Sequence, residues 1–205
     1  MRVLLIKPKP RLRTVRALLG FYMLEPLELG YIAAAVPDHH RVEVLDLRLH
    51  RWPARALRRT LNRYRPDVVG FTSYTHEASL VKAMTRQVRR QLPAAQVIVG
   101  GHHATVEPED FDLDSVDAVV RGEGCKPFTA IMNALEAGED LNGIRNVLIT
   151  RQDIHDKAQG PWPLYPAPAG LPTPPRARWA KNTDPGIWPH EKKHPGAPLD
   201  PAGGL

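Results

Sequence analysis

Gln96-Val-Ile-Val-Gly-Gly-His-His-Ala-Thr105 is the most informative stretch of this 205-residue chain. Its run from Val97 to Val99 is apolar and β-branched, which is typical of a strand buried on both faces in a parallel sheet. Gly100 and Gly101 follow where such a strand should end, and without Cβ atoms they let a ligand or another backbone approach closely. Because ligands of open parallel sheets bind at the carboxyl ends of the strands, this point is a candidate binding site. A tight turn without a ligand is the alternative interpretation.

Four more apolar runs alternate with segments of helical periodicity along the chain. The strand runs are Arg2–Lys7, Val42–Leu47, Val68–Ser73 and Asp117–Arg121, and the helical segments are 27–36, 53–64, 77–91 and 126–137. Strands and helices that alternate every ~25–35 residues predict an α/β fold with an open, parallel, five-stranded sheet. Right-handed crossovers restrict the topology, and we expect strand order 2-1-3-4-5 with a switch point between strands 1 and 3.

Composition divides the chain into three parts. Residues 1–140 are expected to form the α/β domain, and residues 141–160 to hold an extra strand, Asn146–Thr150, and a linker. Residues 161–205 contain twelve of the 21 prolines and show no helical or strand period. Such a segment is expected to be extended or disordered.

Charge and cysteine content narrow the function classes. The formal net charge is +6, but no nucleic-acid recognition motif accompanies the surface arginines, so we expect a solvated basic face and no nucleic-acid partner. The single cysteine, Cys125, excludes a disulfide framework and a cysteine-ligated iron–sulfur cluster within this chain. No apolar run approaches the ~20 residues of a membrane span, and Met1–Pro10 lacks a signal-cleavage site, so a cytoplasmic location is expected.

Several common ligand sites of α/β sheets lack their motifs here. A nicotinamide site needs Gly-x-Gly-x-x-Gly after a strand, whereas strand 1 is followed by Lys-Pro-Lys-Pro10 and Gly122-Glu-Gly124 is only a fragment of the pattern. The chain also has no Gly-Lys-Ser/Thr of a P-loop and no Gly-x-Ser-x-Gly nucleophile elbow. These absences exclude the corresponding dehydrogenase, P-loop and serine-hydrolase sites.

Four segments are distinctive in their order and spacing. They are Leu24-Glu-Pro-Leu-Glu-Leu-Gly-Tyr-Ile-Ala-Ala34, Asp67-Val-Val-Gly-Phe-Thr-Ser73, Val99-Gly-Gly-His-His-Ala-Thr105 and Asp117-Ala-Val-Val-Arg-Gly-Glu-Gly124. Through them, residues 1–150 resemble the N-terminal cobalamin-binding domain of cobalamin-dependent radical S-adenosylmethionine enzymes, a family that includes hopanoid methylase-like methyltransferases. Leu171–Arg176 also resembles the linker that precedes the radical domain. The resemblance implies a flavodoxin-like sheet, with helices on both faces, that holds cobalamin over its carboxyl edge.

The resemblance also implies which loops hold the cofactor. The loop after strand 3 and the Gly100-Gly101 loop would flank the nucleotide tail of cobalamin, with the loop after strand 5 nearby. The implied set is Thr72, Ser73, Tyr74, Thr75, Gly100, Gly101, His102, His103, Gly122, Glu123 and Gly124. Small residues open a slot there, and hydroxyls and backbone N–H groups can bond the tail. We therefore expect that Gly101→Val would fill the slot while the fold survives.

Four side chains near this edge have two interpretations each. His102 or His103 would contact the corrin, its tail or cobalt, or both would be loop residues whose rings bond neighbouring backbone; direct cobalt ligation is the less favoured alternative. Glu123 would bond a ligand hydroxyl or cap the following helix, where a negative charge is favourable. Cys125 is interpreted as a small packed residue rather than a reactive thiol.

Two departures from related patterns bear on function. The connection Pro8–Gly30 contains no histidine, so the Asp-x-His-x-x-Gly cobalt ligand of methionine-synthase-type domains is missing, and we expect a base-off, His-off cobalamin. The Cys-x3-Cys-x2-Cys of the radical domain is also absent, so S-adenosylmethionine and a [4Fe–4S] cluster would belong to a missing or partner domain.

The resulting prediction is a cobalamin-binding module of a radical S-adenosylmethionine enzyme, most simply a methyltransferase, without catalytic residues of its own. Its radical domain would be supplied in cis or in trans. Two other hypotheses stay open: an apo α/β scaffold for protein interaction, and a small nucleotide-binding transferase that uses the same strand-end cleft.

Overall fold

The computed structural model describes residues 1–10, 25–149 and 154. Within them, six strands form one sheet in the order β2-β1-β3-β4-β5-β6, and the first five strands are parallel. The strands are β1 Arg2–Lys7, β2 Arg41–Asp46, β3 Val68–Thr72, β4 Gln96–Gly100, β5 Ala118–Val120 and β6 Val147–Leu148. The predicted α/β fold, the parallel pairing and the order 2-1-3-4-5 are confirmed.

Three helices connect the parallel strands β1 to β4, a short fourth helix lies between β4 and β5, and a fifth helix lies between β5 and the antiparallel strand β6. They are α1 Leu27–Ala35, α2 Pro53–Tyr64, α3 Ala78–Gln91, α4 His102–Val106 and α5 Cys125–Ala137. Prolines and glycines set several of their ends: Pro53 occupies the first turn of α2, where its missing N–H costs nothing. Gly138 ends α5 with φ 69°, a left-handed conformation that suits glycine.

The sixth strand corrects the prediction of a five-stranded sheet. β6 pairs antiparallel with β5 through Val119↔Leu148 and Val120↔Val147. The connection from α5 contains positive φ at Gly138, Gly143 and Asn146 and no crossover helix among its described residues. The whole connection from β5 to β6 includes α5, so it is long enough for a parallel crossover, and the turns after the helix bring β6 in antiparallel instead. The two apolar residues of β6 cover an edge that β5 would otherwise expose.

Each face of the sheet carries its own apolar core. Helices α2 and α3 cover one face, where their buried side chains pack on alternate residues of the central strands. These helix residues include Leu57, Leu61, Val81 and Val88. Helices α1 and α5 cover the other face with Leu29, Ala33, Phe128 and Ile131 among others. Because side chains alternate along a strand, each strand contributes to both cores. The sheet is therefore buried on both sides, as the unbroken apolar runs predict.

Some expectations lie outside the described residues. They concern the connection 11–24, the outer part of the predicted strand Asn146–Thr150, the proline-rich segment 161–205 and the linker-like Leu171–Arg176. Among the helices of residues 1–10, 25–149 and 154, none is long and apolar enough to cross a membrane.

Candidate functional site

A slot of about 240 Å³ opens at the carboxyl edge of the sheet, on the face covered by α1 and α5. Its floor comes from β1, β3, β4 and β5, and its walls come from the two helices. Apolar lining side chains include Leu5, Ile32, Ile98, Val120 and Phe128. Pockets for drug-sized ligands span ~300–1,000 Å³, so this slot suits one arm of a large ligand rather than the whole of it.

Two glycines on neighbouring strands line the slot, and they differ in the space above them. Gly70 of β3 and Gly100 of β4 both face α1 and α5, where a larger residue would complete the core. A Cβ at Gly70 would lie 2.8 Å from Leu5 Cδ2 and 3.5 Å from Phe128 Cε2. A Cβ at Gly100 would meet only Val120, at an ordinary 3.6 Å. Any side chain longer than alanine at Gly100 would therefore occupy the slot.

Gly101 also lines the slot, but a Cβ at this position would point towards the loop after β3. Its φ is 97°, and a Cβ would lie 2.8 Å from both Ser73 N and Thr72 Oγ1. Side chains rarely adopt such a φ, and the Cβ would strike the β3 loop rather than enter the slot. The expectation that Gly101→Val fills the slot while the fold survives is therefore wrong, because the substitution would strain the backbone itself.

Hydrogen bonds join the three strand-end loops into one rigid edge. The loop after β3 is bound to the loop after β4 through Ser73 N–H to Gly100 O at 2.9 Å and His103 N–H to Ser73 O at 2.9 Å. Thr105 links the next pair, since its Oγ1 donates to Gly101 O and accepts from Gly122 N–H, both at 2.9 Å. A site built on these loops is positioned before a ligand arrives.

Ser73 itself is fully buried, and its hydroxyl donates to Tyr74 O at 3.3 Å. Thr72, the residue before it, lines the slot and is 5% exposed. The predicted hydroxyl pair is thus divided: Thr72 borders the slot, while Ser73 holds the loop.

Glu123 combines both of its expected roles. One carboxylate oxygen, Oε1, accepts the Cys125 N–H at 2.6 Å and so caps the start of α5. The other, Oε2, is buried and has no hydrogen-bond partner among the described residues, although Glu123 lines the slot. A buried acceptor without a donor is costly, so this oxygen is suited to a ligand hydroxyl or amide.

Cys125, at the base of the same loop, also lines the slot. Burial, together with the neighbouring Glu123 carboxylate, raises the pKa of the Cys125 thiol to about 12. The thiol is therefore protonated at neutral pH, which agrees with a small packed residue and not with a reactive thiolate.

An aromatic group stands on the rim of the edge, outside the slot. Tyr74 is 43% exposed and lies between the rings of His76 and His102, at centroid distances of 6.1 Å and 6.3 Å. Below it, the Lys7 Nζ lies 4.5 Å from the Tyr74 ring centroid and 3.1 Å from Glu28 Oε1. Burial, followed by the negative charges of Glu28 and Glu77, raises the pKa of Tyr74, so its phenol stays protonated at neutral pH.

His103 belongs to the core on the other side of the sheet. It is 4% exposed, its Nε2 lies 2.8 Å from Asp110 Oδ2, and its ring meets Phe111 edge-on. Thr75 and His102 are exposed at the edge, and Gly122 and Gly124 flank Glu123. The structure thus brings the predicted loops together, and favours the interpretation that the His103 ring is held by the fold.

Sequence reasoning missed the contribution of α1 to the slot. Glu28, Leu29, Tyr31 and Ile32 form its outer wall. The segment was quoted as part of the resemblance, but its helical spacing predicts only an apolar face. Residues that face a slot and residues that face a core give the same pattern.

Comparison with known proteins agrees with this geometry. Residues 14–132, more than half of the chain, match the family model of the B12 binding domain. The chain belongs to the B12 binding domain family.

Two relatives show the context in which such a domain occurs. The chain is 30% identical over 149 residues to "Uncharacterized methyltransferase PH0819" of Pyrococcus horikoshii, covering 70% of this chain and 31% of that protein. The structure of the radical S-adenosylmethionine methyltransferase TsrM from Kitasatospora setae matches with a TM-score of 0.61 and 21% identity, over 74% of this chain and 29% of that one. The latter likeness concerns the fold, and the chain spans about a third of each relative.

The histidines at the carboxyl edge of this B12 binding domain lie outside the first β–α connection. The connection Pro8–Gly30 has none. Among the described residues, His76 and His102 are exposed at the edge, and His103 is buried against Phe111. The first β–α connection of this domain therefore offers no histidine to cobalt.

Proposed function

We propose that this chain binds cobalamin by burying its nucleotide tail in the slot between the sheet and helices α1 and α5. The supporting observation is that an open slot and a buried acceptor oxygen without a hydrogen-bond donor occur at the same place. Gly100 leaves the slot free of a side chain at the end of β4, and the buried Glu123 Oε2 has no partner among the described residues. An apolar slot with a few polar groups is what a flat aromatic base with an attached sugar requires.

The residues of the edge then have distinct roles in binding. Gly100 and the apolar lining accept the base, Thr72 and Glu123 offer polar contacts to the tail, and the loop Gly122–Gly124 bounds it. Gly101 and Ser73 hold the loops in register. Tyr74, Thr75 and His102 face the corrin side, while His103 supports the edge from the core. When bound, cobalamin supplies a cobalt centre that can carry a methyl group.

We further propose a base-off, His-off state, in which the tail lies in the slot and no histidine ligates cobalt. Its support is the absence of histidine from Pro8–Gly30 together with the packing of His103 on Asp110 and Phe111. The test is electron paramagnetic resonance of the cob(II)alamin complex, which should show no nitrogen superhyperfine splitting. Splitting that disappears in His102→Ala or His76→Ala would identify an axial histidine and refute this state.

The wider enzyme is proposed to be a radical S-adenosylmethionine methyltransferase, in which this chain is the cofactor module. One cysteine cannot hold a [4Fe–4S] cluster, so the cluster and S-adenosylmethionine would lie in a domain supplied in cis or in trans. Purified chain reconstituted with iron and sulfide should form no 5′-deoxyadenosine, and turnover would contradict this assignment. A cytoplasmic location remains the expectation.

Binding itself is tested by absorption spectroscopy with two ligands. Hydroxocobalamin should bind and take the spectrum of its base-off form. Cobinamide, which has the corrin but lacks the nucleotide tail, should bind at least about tenfold more weakly, because ~1.4 kcal/mol of slot contacts are lost. Equal affinity for the two ligands would refute the tail placement. Absence of binding by both would favour the apo interaction scaffold instead.

A further inference from the structure

A second cluster of ligand-type side chains lies at the amino end of the sheet, opposite the slot. His39 and His40 stand in the turn between α1 and β2, and Glu136 is in the last turn of α5. The His39 Nε2 lies 2.9 Å from Glu136 Oε1 and 3.0 Å from Oε2. The His40 Nε2 lies 3.7 Å from Glu136 Oε2. One nitrogen of each histidine and one carboxylate oxygen all lie within 4.8 Å of one another.

The buried member of this cluster has a nitrogen without a partner. The His40 side chain is 0% exposed, and its Nε2 makes no hydrogen bond with any described residue. Its other nitrogen, Nδ1, lies 3.0 Å from the Met1 amino group. A buried imidazole that points an unpartnered nitrogen at a carboxylate 3.7 Å away leaves room for a further atom between the two.

We propose that His39, His40 and Glu136 bind a divalent transition-metal ion of the Zn²⁺ class. Two imidazoles and one carboxylate suit Zn²⁺, Co²⁺ or Ni²⁺ better than Mg²⁺ or Ca²⁺, which prefer oxygen ligands. Zinc bonds to nitrogen and oxygen of roughly 2.0–2.2 Å in tetrahedral geometry put neighbouring ligand atoms about 3.3 Å apart, within the range that the cluster spans. His39 and Glu136 have half-exposed side chains, which leaves room for water to complete the coordination.

The position of the cluster gives such an ion a structural consequence. The turn that carries His39 and His40 follows α1, and Glu136 belongs to α5, so the ion would join the two helices that wall the slot. The contact is at their ends farthest from the cofactor edge. A bound ion therefore stabilises this pair of helices without contacting cobalamin, because ligand binding to the native state alone adds to its stability.

The experiment uses the full chain after removal of metal with a chelator. Zn²⁺ is titrated at pH 8 in competition with a chromogenic chelator. We expect one tightly bound equivalent and a raised melting temperature. His39→Ala and Glu136→Gln each remove one of three ligands and should weaken Zn²⁺ binding at least about tenfold. Even the loss of a residue that only hydrogen-bonds to a metal ligand lowers metal affinity by roughly 10–100-fold.

Matched controls separate this site from other histidines and carboxylates. His76→Ala removes a histidine from the opposite edge, and Glu139→Gln removes an exposed carboxylate three residues from Glu136; both should bind Zn²⁺ within about twofold of wild type. Circular dichroism confirms that the variants are folded. Absence of stoichiometric binding by wild type would overturn the proposal. It would equally be overturned if His39→Ala and Glu136→Gln, both folded, bound Zn²⁺ as tightly as wild type.

Discussion

The two faces of the sheet are built from the same strands but end differently. On the face under α2 and α3, Phe71 of β3 and Val99 of β4 are at most 3% exposed and continue the core to the strand ends. On the face under α1 and α5, the equivalent positions near the strand ends are Gly70 and Gly100, and the slot opens over them. Apolar side chains fill the first face as far as the strand ends, whereas on the second face the core ends before the strands do and leaves the slot.

The difference shows how one strand can serve stability and binding together. Consecutive side chains point to opposite faces, so Val69 and Val97 belong to the filled face while Gly70 and Ile98 face the helices of the slot. The filled face anchors the strands, and an opening on the other face costs packing only locally. Substitutions on the two faces should therefore affect different measurements, which the following predictions use.

The largest expected effect is the loss of cobalamin binding in Gly100→Leu. The Cβ fits at 3.6 Å from Val120, and the rest of the side chain enters the slot. We expect affinity to fall at least about a thousandfold, which corresponds to ~4 kcal/mol. Urea unfolding should show unchanged or slightly raised stability of the ligand-free chain, since glycine in a strand is unfavourable.

Two variants control this experiment. Gly100→Ala adds only the Cβ and should bind cobalamin far better than Gly100→Leu. Gly101→Ala should instead lower the free energy of unfolding, because of φ 97° and the 2.8 Å approach to Ser73 N. If Gly100→Leu bound cobalamin like wild type, the tail would not lie in the slot.

The second prediction concerns the filled face. Leu61 of α2 is fully buried there, and Leu61→Ala leaves a cavity that should lower the free energy of unfolding by about 2–5 kcal/mol. The affinity of the folded protein for cobalamin should stay within about twofold, because Leu61 does not line the slot. Urea unfolding and absorption titration at 10 °C measure the two quantities. A parallel loss of affinity in the folded variant would mean that the faces are coupled.

The third prediction concerns the unpartnered oxygen of Glu123. Glu123→Gln keeps the size of the side chain and one acceptor oxygen but removes its charge and the second acceptor. If the ligand donates to Oε2, cobalamin affinity should fall about tenfold, or ~1.4 kcal/mol. Glu139→Gln is the matched control at the exposed end of α5 and should bind normally. Unchanged affinity in Glu123→Gln would leave the capping bond to Cys125 as the whole role of this carboxylate.

The strands and their order could be predicted from sequence because the signal is local and repeated. Runs such as Val97–Val99 are short, β-branched and apolar, and only a doubly buried strand explains them. The crossover rule then leaves few arrangements of the strands. The family resemblance identified the three loops correctly as neighbours because parallel strands end at one edge.

The details of the site could not be predicted because they depend on the directions in which the backbone points its Cβ positions, and residue types alone do not reveal these. Sequence shows two glycines in a row, but only the backbone shows that Gly100 opens the slot and that Gly101, with φ 97°, faces Thr72 and Ser73. Likewise, Ser73 looks like a ligand contact until its burial is known. The extra strand expected at Asn146–Thr150 is present as Val147–Leu148, but its antiparallel place beside β5 could not be predicted because two residues carry no periodicity.

The smallest expected effect is that of Asp110→Asn, which tests whether His103 supports the fold or contacts the cofactor. Asp110 accepts a hydrogen bond from Lys82 at 2.8 Å and pairs with His103 Nε2 at 2.8 Å, and these contacts lower the pKa of Asp110. A carboxyl with a lowered native pKa stabilises the fold above its ordinary pKa of 3.8, and this contribution is lost as pH falls through the native pKa. Asp110→Asn should thus be less stable than wild type at pH 7, by less than about 1 kcal/mol because the pair is partly exposed.

The pH dependence of that difference is the decisive measurement. As the pH falls from 3.8 through the lowered native pKa, protonation makes Asp110 resemble asparagine, so the two proteins should approach equal stability in urea unfolding. Glu109→Gln removes a neighbouring charge and controls for the net charge of the loop. Cobalamin affinity at pH 7 should be unchanged in Asp110→Asn, because His103 and its partner belong to the filled face. A marked loss of affinity would show instead that the His103 ring is positioned for the cofactor, and that the filled face contributes to binding after all.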